Sequence, residues 1–350
     1  MQIQTNLTKH NQITITCPNC QTINTPNFPT DLKSTIQYGE NIKAISTLLT
    51  QYAMVSYGKT QKILNDIFNI PISIGTIVNH VAEFADKAQL VLNEIPLKLQ
   101  EEAVLHFDET GDSVAGETQW LHTASSLGAT YVTVHPKRGQ VGIDDNGVLA
   151  GFSGVAVHDC WQSYFKYGNC LHGLCNAHLL RELEGVIENT GQGWAVWMRG
   201  FLLRVKSVVA QCKSVGLGVL SGCYALVFLG EYERILALGR VENSLVLGVR
   251  KRSKSRCLLD RFIVFGFEVL LFAWDFGVLF DNNLAERDIW CVKVKLKVSG
   301  GFRSVLGAKI FGKIASLVGT AVKQKKSAYH TISGILTGTI TSLFQKTLPD

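Results

Sequence analysis

The chain has 350 residues, enough to bury a large core and to form two or three domains. Its net charge of +6 agrees with a polyanionic partner, although a mild basic excess is weak evidence alone. The nine cysteines show no framework spacing, and the polar N-terminus lacks an apolar signal core. These features argue against a secreted disulfide scaffold and predict reduced thiols in the cytoplasm.

Two stretches, residues 216–230 and 262–280, are unusually apolar. The first is short and rich in glycine, and the second carries Glu268 and Asp275. We therefore predict buried helices rather than membrane spans.

Residues 1–36 are polar and contain the pair Cys17 and Cys20. A structural zinc ion takes four nitrogen or sulfur ligands, so this pair is half of a site. We expect a partial zinc knuckle and a truncated N-terminus.

Residues 37–100 have helical periodicity, interrupted by a turn at residues 69–73 whose Ser73 is a good helix N-cap. A helix-turn-helix that binds DNA and an ordinary helical hairpin explain this pattern equally well.

From residue 101 the period changes to that of strands. The first strand is predicted to end at Asp108, with turns at Gly111 and Gly116, and a fourth runs into Asp159. A meander of three strands followed by alternating helix and strand predicts an α/β fold with a mixed five-stranded sheet flanked by helices. We predict that residues 101–178 form the first part of this core and residues 280–340 its last part. Residues 179–279 are predicted to be a helical insertion between them.

Three carboxylates stand at the edges of these predicted elements. Asp108 and Asp159 follow strands, and Glu286 opens a helix. Three such groups are what a pair of hard divalent cations needs for in-line attack on a phosphodiester, and without metal at least one should have a raised pKa. Each also has a plainer explanation, as a turn aspartate or as a glutamate that complements the helix dipole.

The segments around these residues resemble the insertion sequence 66 family of DDE transposases. The motifs occur in the family's order and are His106–Thr110, Leu121–Ser125, His135–Gly139, Val157–Trp161, Leu174–His178, Phe280–Ile289 and Val292–Ser304. The resemblance implies an RNase H-like core with Asp108, Asp159 and Glu286 as catalytic residues and ligands of two Mg²⁺ ions, for which Mn²⁺ can substitute. It implies DNA cleavage at transposon ends, strand transfer to target DNA, a homo-oligomeric active complex and accessory transposition proteins.

Basic residues near these motifs are candidates for phosphate contacts, with a solvated surface as the alternative. Lys293, Lys295 and Lys297 would face one side if their segment were extended. The run from Arg250 to Arg256 is predicted to be a loop that attracts DNA without reading sequence. The DNA-binding candidates are Lys137, Arg138, Arg181, Arg287, Lys293, Lys295, Lys297 and Arg303.

Cys175 and His178 could form a small metal site with Cys170 or His172, but a structural role is favoured by ligand count. His106 and His158 are expected to be packed rather than ligating, on the sheet face opposite the aspartates.

The chain departs from the family at Trp290 and Cys291, where a basic residue is common, and in the apolar composition of residues 200–280. Apolar helix faces favour exposed patches and poor solubility. The alternative function is therefore that of a truncated or decayed, catalytically inactive relative that acts only as a DNA-binding module.

Overall fold

The computed structural model describes residues 5–30, 32–244 and 253–344. It divides the chain into two units, residues 1–89 with 326–341 and residues 90–325 with 342–350. The elements are β1 Ile15–Thr16, β2 Ile23–Asn24, α1 Glu40–Thr47, α2 Tyr57–Phe68, α3 Ile74–Lys87, α4 Gln89–Gln100, β3 Val104–Val114, β4 Glu117–Ser125, β5 Thr130–His135, α5 Gln140–Asn146, β6 Val155–His158, β7 Leu171–Leu174, α6 Asn176–Thr190, α7 Gly193–Ser214, α8 Gly222–Glu242, α9 Lys254–Val264, α10 Gly266–Trp274, α11 Asn283–Ser299, α12 Val305–Lys323 and α13 Ala328–Thr337.

The first unit contains the helical pair around residues 69–73. Asn69 adopts a left-handed conformation (φ 54°) that ends α2, and the Ser73 side chain accepts a hydrogen bond from the Thr76 amide to begin α3. Apolar side chains of this turn and the two helices form a small core. Its buried members are Leu64, Ile70, Ile72 and Ile77.

The second unit is built on a five-stranded mixed sheet in the order β5-β4-β3-β6-β7. Strands β3, β4 and β5 form the antiparallel meander, whereas β6 pairs in parallel with β3 and β7. With helices around the sheet, this is the α/β, RNase H-like fold, and the predicted fold class is confirmed.

Strand β3 is longer than predicted, because it continues past Asp108 and Gly111 to Val114. The antiparallel ladder with β4 runs without a break from His106 opposite Ser125 to Val114 opposite Glu117. The turn falls at residues 115–116, where Gly116 has φ 86°. The prediction that β3 ends at Asp108 was therefore wrong, since pairing with β4 holds Gly111 in the sheet.

Helix α12 covers the meander, although by length and composition it is the one described helix apolar enough to span a membrane. Half of its most apolar window is buried within the protein. The Ser316 hydroxyl accepts a hydrogen bond from the Val132 amide of β5 (2.8 Å), and the Thr320 hydroxyl accepts one from the Thr130 amide (3.0 Å). These contacts identify α12 as a core helix of the fold.

Helices α7 to α10 lie in the predicted insertion of residues 179–279 and share a largely aromatic and aliphatic core with β6, β7 and α6. The predicted buried stretch at residues 262–280 is largely buried, although Val264 and Phe267 are exposed. In the other stretch, residues 216–230, α8 exposes Tyr224, Leu226 and Val227, so that prediction was only partly right. In the basic run, residues 250–252 lie outside the described residues, and Ser253 caps α9. Lys254, Ser255 and Arg256 belong to that helix, so the prediction of a loop was wrong for them.

Candidate active site

Strand register brings Asp108 and Asp159 to neighbouring places. The last paired residues of the parallel β3–β6 ladder are His106 and Val157, and each aspartate lies two residues further along its strand direction. Two-residue spacing keeps each aspartate on the sheet face of its paired residue. After Asp159 the chain bends sharply at Cys160 (φ 74°), and an Asp159 carboxylate oxygen accepts a hydrogen bond from the Trp161 amide (3.0 Å).

Asn282 fixes the start of α11, which carries Glu286 in its first turn. Its side-chain amide donates to the Phe107 carbonyl of β3 (2.7 Å), and its Oδ1 lies 3.0 Å from His106 Nδ1. Its backbone N–H donates to Cys175 Sγ (3.1 Å), and its carbonyl accepts from the Glu286 amide (3.2 Å). A fully buried side chain thus ties the helix bearing Glu286 to the strand bearing Asp108.

The electrostatic environment of Asp108 includes the other two carboxylates. Burial, and then the negative charges of Glu109, Asp159 and Glu286, raise the pKa of Asp108 to about 7. The Oε1 atom of Glu286 is buried and accepts no hydrogen bond; His178 Nδ1 lies 3.5 Å away and the Arg181 guanidinium 3.9 Å away. The raised pKa agrees with the sequence expectation for a carboxylate cluster without metal.

A second buried carboxylate, Glu109, was not predicted from the sequence. It receives hydrogen bonds from the Tyr164 hydroxyl and from Arg138 (Nε–Oε1 2.9 Å), and burial raises its pKa against their effect. The Arg138 guanidinium lies 3.9 Å from the ring centroid of Trp161 and 5.0 Å from that of Trp120. Arg138 therefore braces the segment that follows Asp159.

Asp288 holds the other side of α11. It accepts hydrogen bonds from the Ser125 hydroxyl (2.6 Å) and the Thr130 hydroxyl (2.7 Å), and it forms an ion pair with Lys323 of α12. These contacts restrict rotation of α11 about its own axis relative to the three-stranded meander. No periodic pattern in the sequence indicates this role, because the partners lie on three distant elements.

The buried histidines are packed, as expected, but on different faces. His158 is fully buried and its Nε2 lies 3.1 Å from His172 Nδ1. His106 stands two residues before Asp108, so alternation puts both on the same face, and the expectation of opposite faces was wrong for His106. Because His172 pairs with His158, and the Cys170 thiol donates to the Tyr167 carbonyl, neither joins Cys175 and His178.

The basic candidates differ in exposure. Helix α11 includes Lys293, Lys295 and Lys297, so they do not face one side: Lys295 is buried, which lowers its pKa, while the other two are exposed. The prediction of Lys295 as a DNA contact is therefore wrong for the protein as folded. Arg138 is half-buried against Glu109. The exposed candidates are Lys137, Arg181, Arg287, Lys293, Lys297 and Arg303.

Cys17 and Cys20 lie in the turn of the β1–β2 hairpin, where the Gln21 amide donates to the Cys17 carbonyl. A hydrogen bond with the Thr22 hydroxyl lowers the pKa of Cys20 to about 7. Within the described parts of the chain, no third histidine, cysteine, aspartate or glutamate completes a ligand cluster with this pair.

A mixed five-stranded sheet of this order, flanked by helices, is typical of the RNase H-like fold. The sequence model of the transposase IS66 family matches residues 36–310. The chain therefore belongs to the IS66 family of transposases. Comparison with curated proteins gives no match.

Proposed function

We propose that this transposase cleaves DNA at the ends of its mobile element and joins the freed 3′-hydroxyl to target DNA. The observation that carries the proposal is the β3–β6 register, which brings Asp108 and Asp159 to neighbouring places. The raised pKa of Asp108 supports it, since its causes are burial first and then negative charges that include Asp159 and Glu286. Phosphoryl transfer asks a protein mainly for positioning and for neutralisation of charge.

The donor set fits Mg²⁺, with Mn²⁺ as a substitute. Carboxylate oxygens are the ligands that these hard cations prefer, and the buried Glu286 Oε1 has no hydrogen bond to satisfy it. Asp108, Asp159 and Glu286 would hold two ions. When bound, the ions would activate the attacking oxygen and stabilise the leaving oxygen.

The remaining residues of the site position these ligands. Asn282 and Asp288 hold α11, the helix that carries Glu286, against β3 and β4. Arg138 stacks on Trp161 and limits movement of the segment after Asp159. Fixed ligands lower the cost of reorganisation during the reaction.

DNA would approach a surface of exposed cations. The exposed basic candidates belong to several elements, and one of them, Arg181, lies 3.9 Å from Glu286. Phosphate contacts from them would orient the duplex without reading its sequence. A homo-oligomeric active complex, accessory transposition proteins and a cytoplasmic location complete the proposal. Zinc binding at Cys17 and Cys20 would need ligands from elsewhere.

The test is Mg²⁺-dependent cleavage and strand transfer on DNA carrying the element's ends. Asp159→Asn should abolish both reactions while DNA binding persists, because the change removes a charge and leaves the size of the side chain. Asp145→Asn, an exposed aspartate of α5, is the control and should keep full activity. Full activity of Asp159→Asn would overturn the proposal.

The alternative of an inactive DNA-binding module draws on exposed apolar side chains, among them Trp290 beside the Glu286 motif. It predicts salt-dependent DNA binding by the wild-type chain with no cleavage at any Mg²⁺ concentration. The same assay therefore separates the two functions.

A further inference from the structure

Three different metal-ligating side chains meet at the N-terminal ends of α6 and α11. Ligand atoms of Cys175, His178 and Glu286 all lie within 4.8 Å of one another. His178 Nδ1 lies 3.2 Å from Cys175 Sγ and 3.5 Å from Glu286 Oε1. Within the described residues this is the one such group of three or more. The sequence suggested other partners for Cys175 and His178, and the structure supplies Glu286 instead.

The spacing of these atoms is close to that of a tetrahedral zinc site. With ordinary zinc bond lengths, a sulfur and a nitrogen ligand stand about 3.6 Å apart, and a nitrogen and an oxygen ligand about 3.3 Å. The two observed separations, 3.2 Å and 3.5 Å, differ from these by a few tenths of an ångström. Two of the ligand–ligand distances of a tetrahedral site, from His178 Nδ1 to Cys175 Sγ and to Glu286 Oε1, are therefore nearly in place before any ion binds.

The donor types favour a soft or borderline cation over Mg²⁺. Thiolate and imidazole select zinc and its chemical relatives, whereas Mg²⁺ takes oxygen ligands. An ion would approach from the side of His178, whose side chain is 35% exposed, past Arg181, the nearest competing cation, whose side chain is 64% exposed. Cys175 and the Oε1 atom of Glu286 lie buried behind them. Three protein ligands leave the fourth position to water.

We propose that Cys175, His178 and Glu286 bind Zn²⁺, and that zinc bound there withdraws Glu286 from the magnesium ligands and inhibits the enzyme. The claim that zinc binds depends only on the geometry of these three side chains. The claim that zinc inhibits rests on the proposed function, because Glu286 would be a ligand of both Zn²⁺ and Mg²⁺.

Binding is tested with Co²⁺ as a spectroscopic probe on the full chain. A cobalt–thiolate charge-transfer band is expected, and Cys175→Ser should remove it. Since Cys17 and Cys20 could give a similar band, the matched control is the double variant Cys17→Ser with Cys20→Ser, which should keep the signal from Cys175. Glu286→Gln, at a partly exposed side chain, should weaken Co²⁺ binding about tenfold or more, the scale at which loss of supporting groups acts.

Inhibition is tested by titrating Zn²⁺ into the Mg²⁺-dependent cleavage reaction. In Cys175→Ser the zinc concentration for half-inhibition should rise about tenfold or more relative to its own zinc-free rate. A cobalt–thiolate band that persists in Cys175→Ser, or that is lost only in the double variant, overturns the site. Co²⁺ binding at Cys175 with no cleavage activity in any chain would leave the site standing and overturn the proposed function instead.

Discussion

The side chain of Asn282 lies against His106, with Asn282 Oδ1 and His106 Nδ1 3.0 Å apart in the fully buried space between α11 and β3. The same amide donates to the Phe107 carbonyl, so one residue satisfies groups on two consecutive positions of β3. Asp108 follows immediately, and Glu286 lies one helical turn after Asn282. The link therefore sets the distance between two of the proposed metal ligands.

Asn282→Ala should loosen this link. It leaves the Phe107 carbonyl and a His106 ring nitrogen buried without their partner, at a cost of about 1–3 kcal/mol in the free energy of unfolding. Cleavage activity should fall by more than the lost folded fraction explains, because Glu286 is no longer held. Urea denaturation and Mg²⁺-dependent cleavage measure the two effects.

The neighbouring Asn283→Ala is the matched control, since Asn283 is exposed. It should change neither quantity by much. Equal effects of the two variants would show that Asn282 has no special positioning role.

Asp108→Asn should make the metal-free protein more stable at neutral and alkaline pH. The folded-state pKa of Asp108 is about 7, well above that of an unfolded aspartate, so the folded protein binds a proton that the unfolded chain releases. The contribution of Asp108 to wild-type stability therefore falls as pH rises from about 4 to about 7. Asparagine does not titrate, so its contribution to stability does not change with pH.

The stability gain of Asp108→Asn over wild type should grow through that window and level off above it, at a size on the order of 4 kcal/mol. Urea titrations in EDTA, from about pH 5 to about pH 8, measure it. A difference that does not vary with pH would mean that Asp108 titrates near its ordinary value. Saturating Mg²⁺ should reduce the gain, because only wild type keeps all three ligands.

Sequence patterns predicted the sheet well, because each of the five strands leaves a local apolar run. They also singled out Asp159 and Glu286 beside ordered elements, whereas Asp108 lies within β3 and not at its end. The motif order predicted the family that the match confirms. The role of these three residues as metal ligands stays a prediction. The supporting groups could not be found in this way, since Asn282, Glu109 and Asp288 act through partners on distant elements. The error at Lys295 has a local cause: alternating lysines suggest a strand, but the segment is helical.

Substitutions of Lys293 and Lys295 should have different effects on the salt dependence of DNA binding. The exposed Lys293 can neutralise a phosphate, so Lys293→Ala should lower the slope of log affinity against log salt by about 1. Lys295 is buried, so Lys295→Met should leave the slope unchanged. Filter binding or fluorescence anisotropy over a salt series measures both. A reduced slope in Lys295→Met would show that the C-terminal half of α11 rearranges on DNA.

Lys137 and Arg138 are adjacent in sequence but should behave differently. Lys137 is exposed, and its removal in Lys137→Ala should reduce the same salt slope by about 1. The Arg138 charge is matched by Glu109, and its guanidinium is stacked on Trp161. Arg138→Met should therefore leave the slope nearly unchanged and instead destabilise the fold.

The loss for Arg138→Met should be about 3 kcal/mol, because Glu109 is left as a buried charge without its cation. Adding Glu109→Gln should recover part of that loss, since the second change removes the uncompensated charge. A double-mutant cycle on the free energies of unfolding measures this coupling. Additive effects of the two changes, together with a reduced salt slope in Arg138→Met, would assign Arg138 to DNA rather than to Glu109.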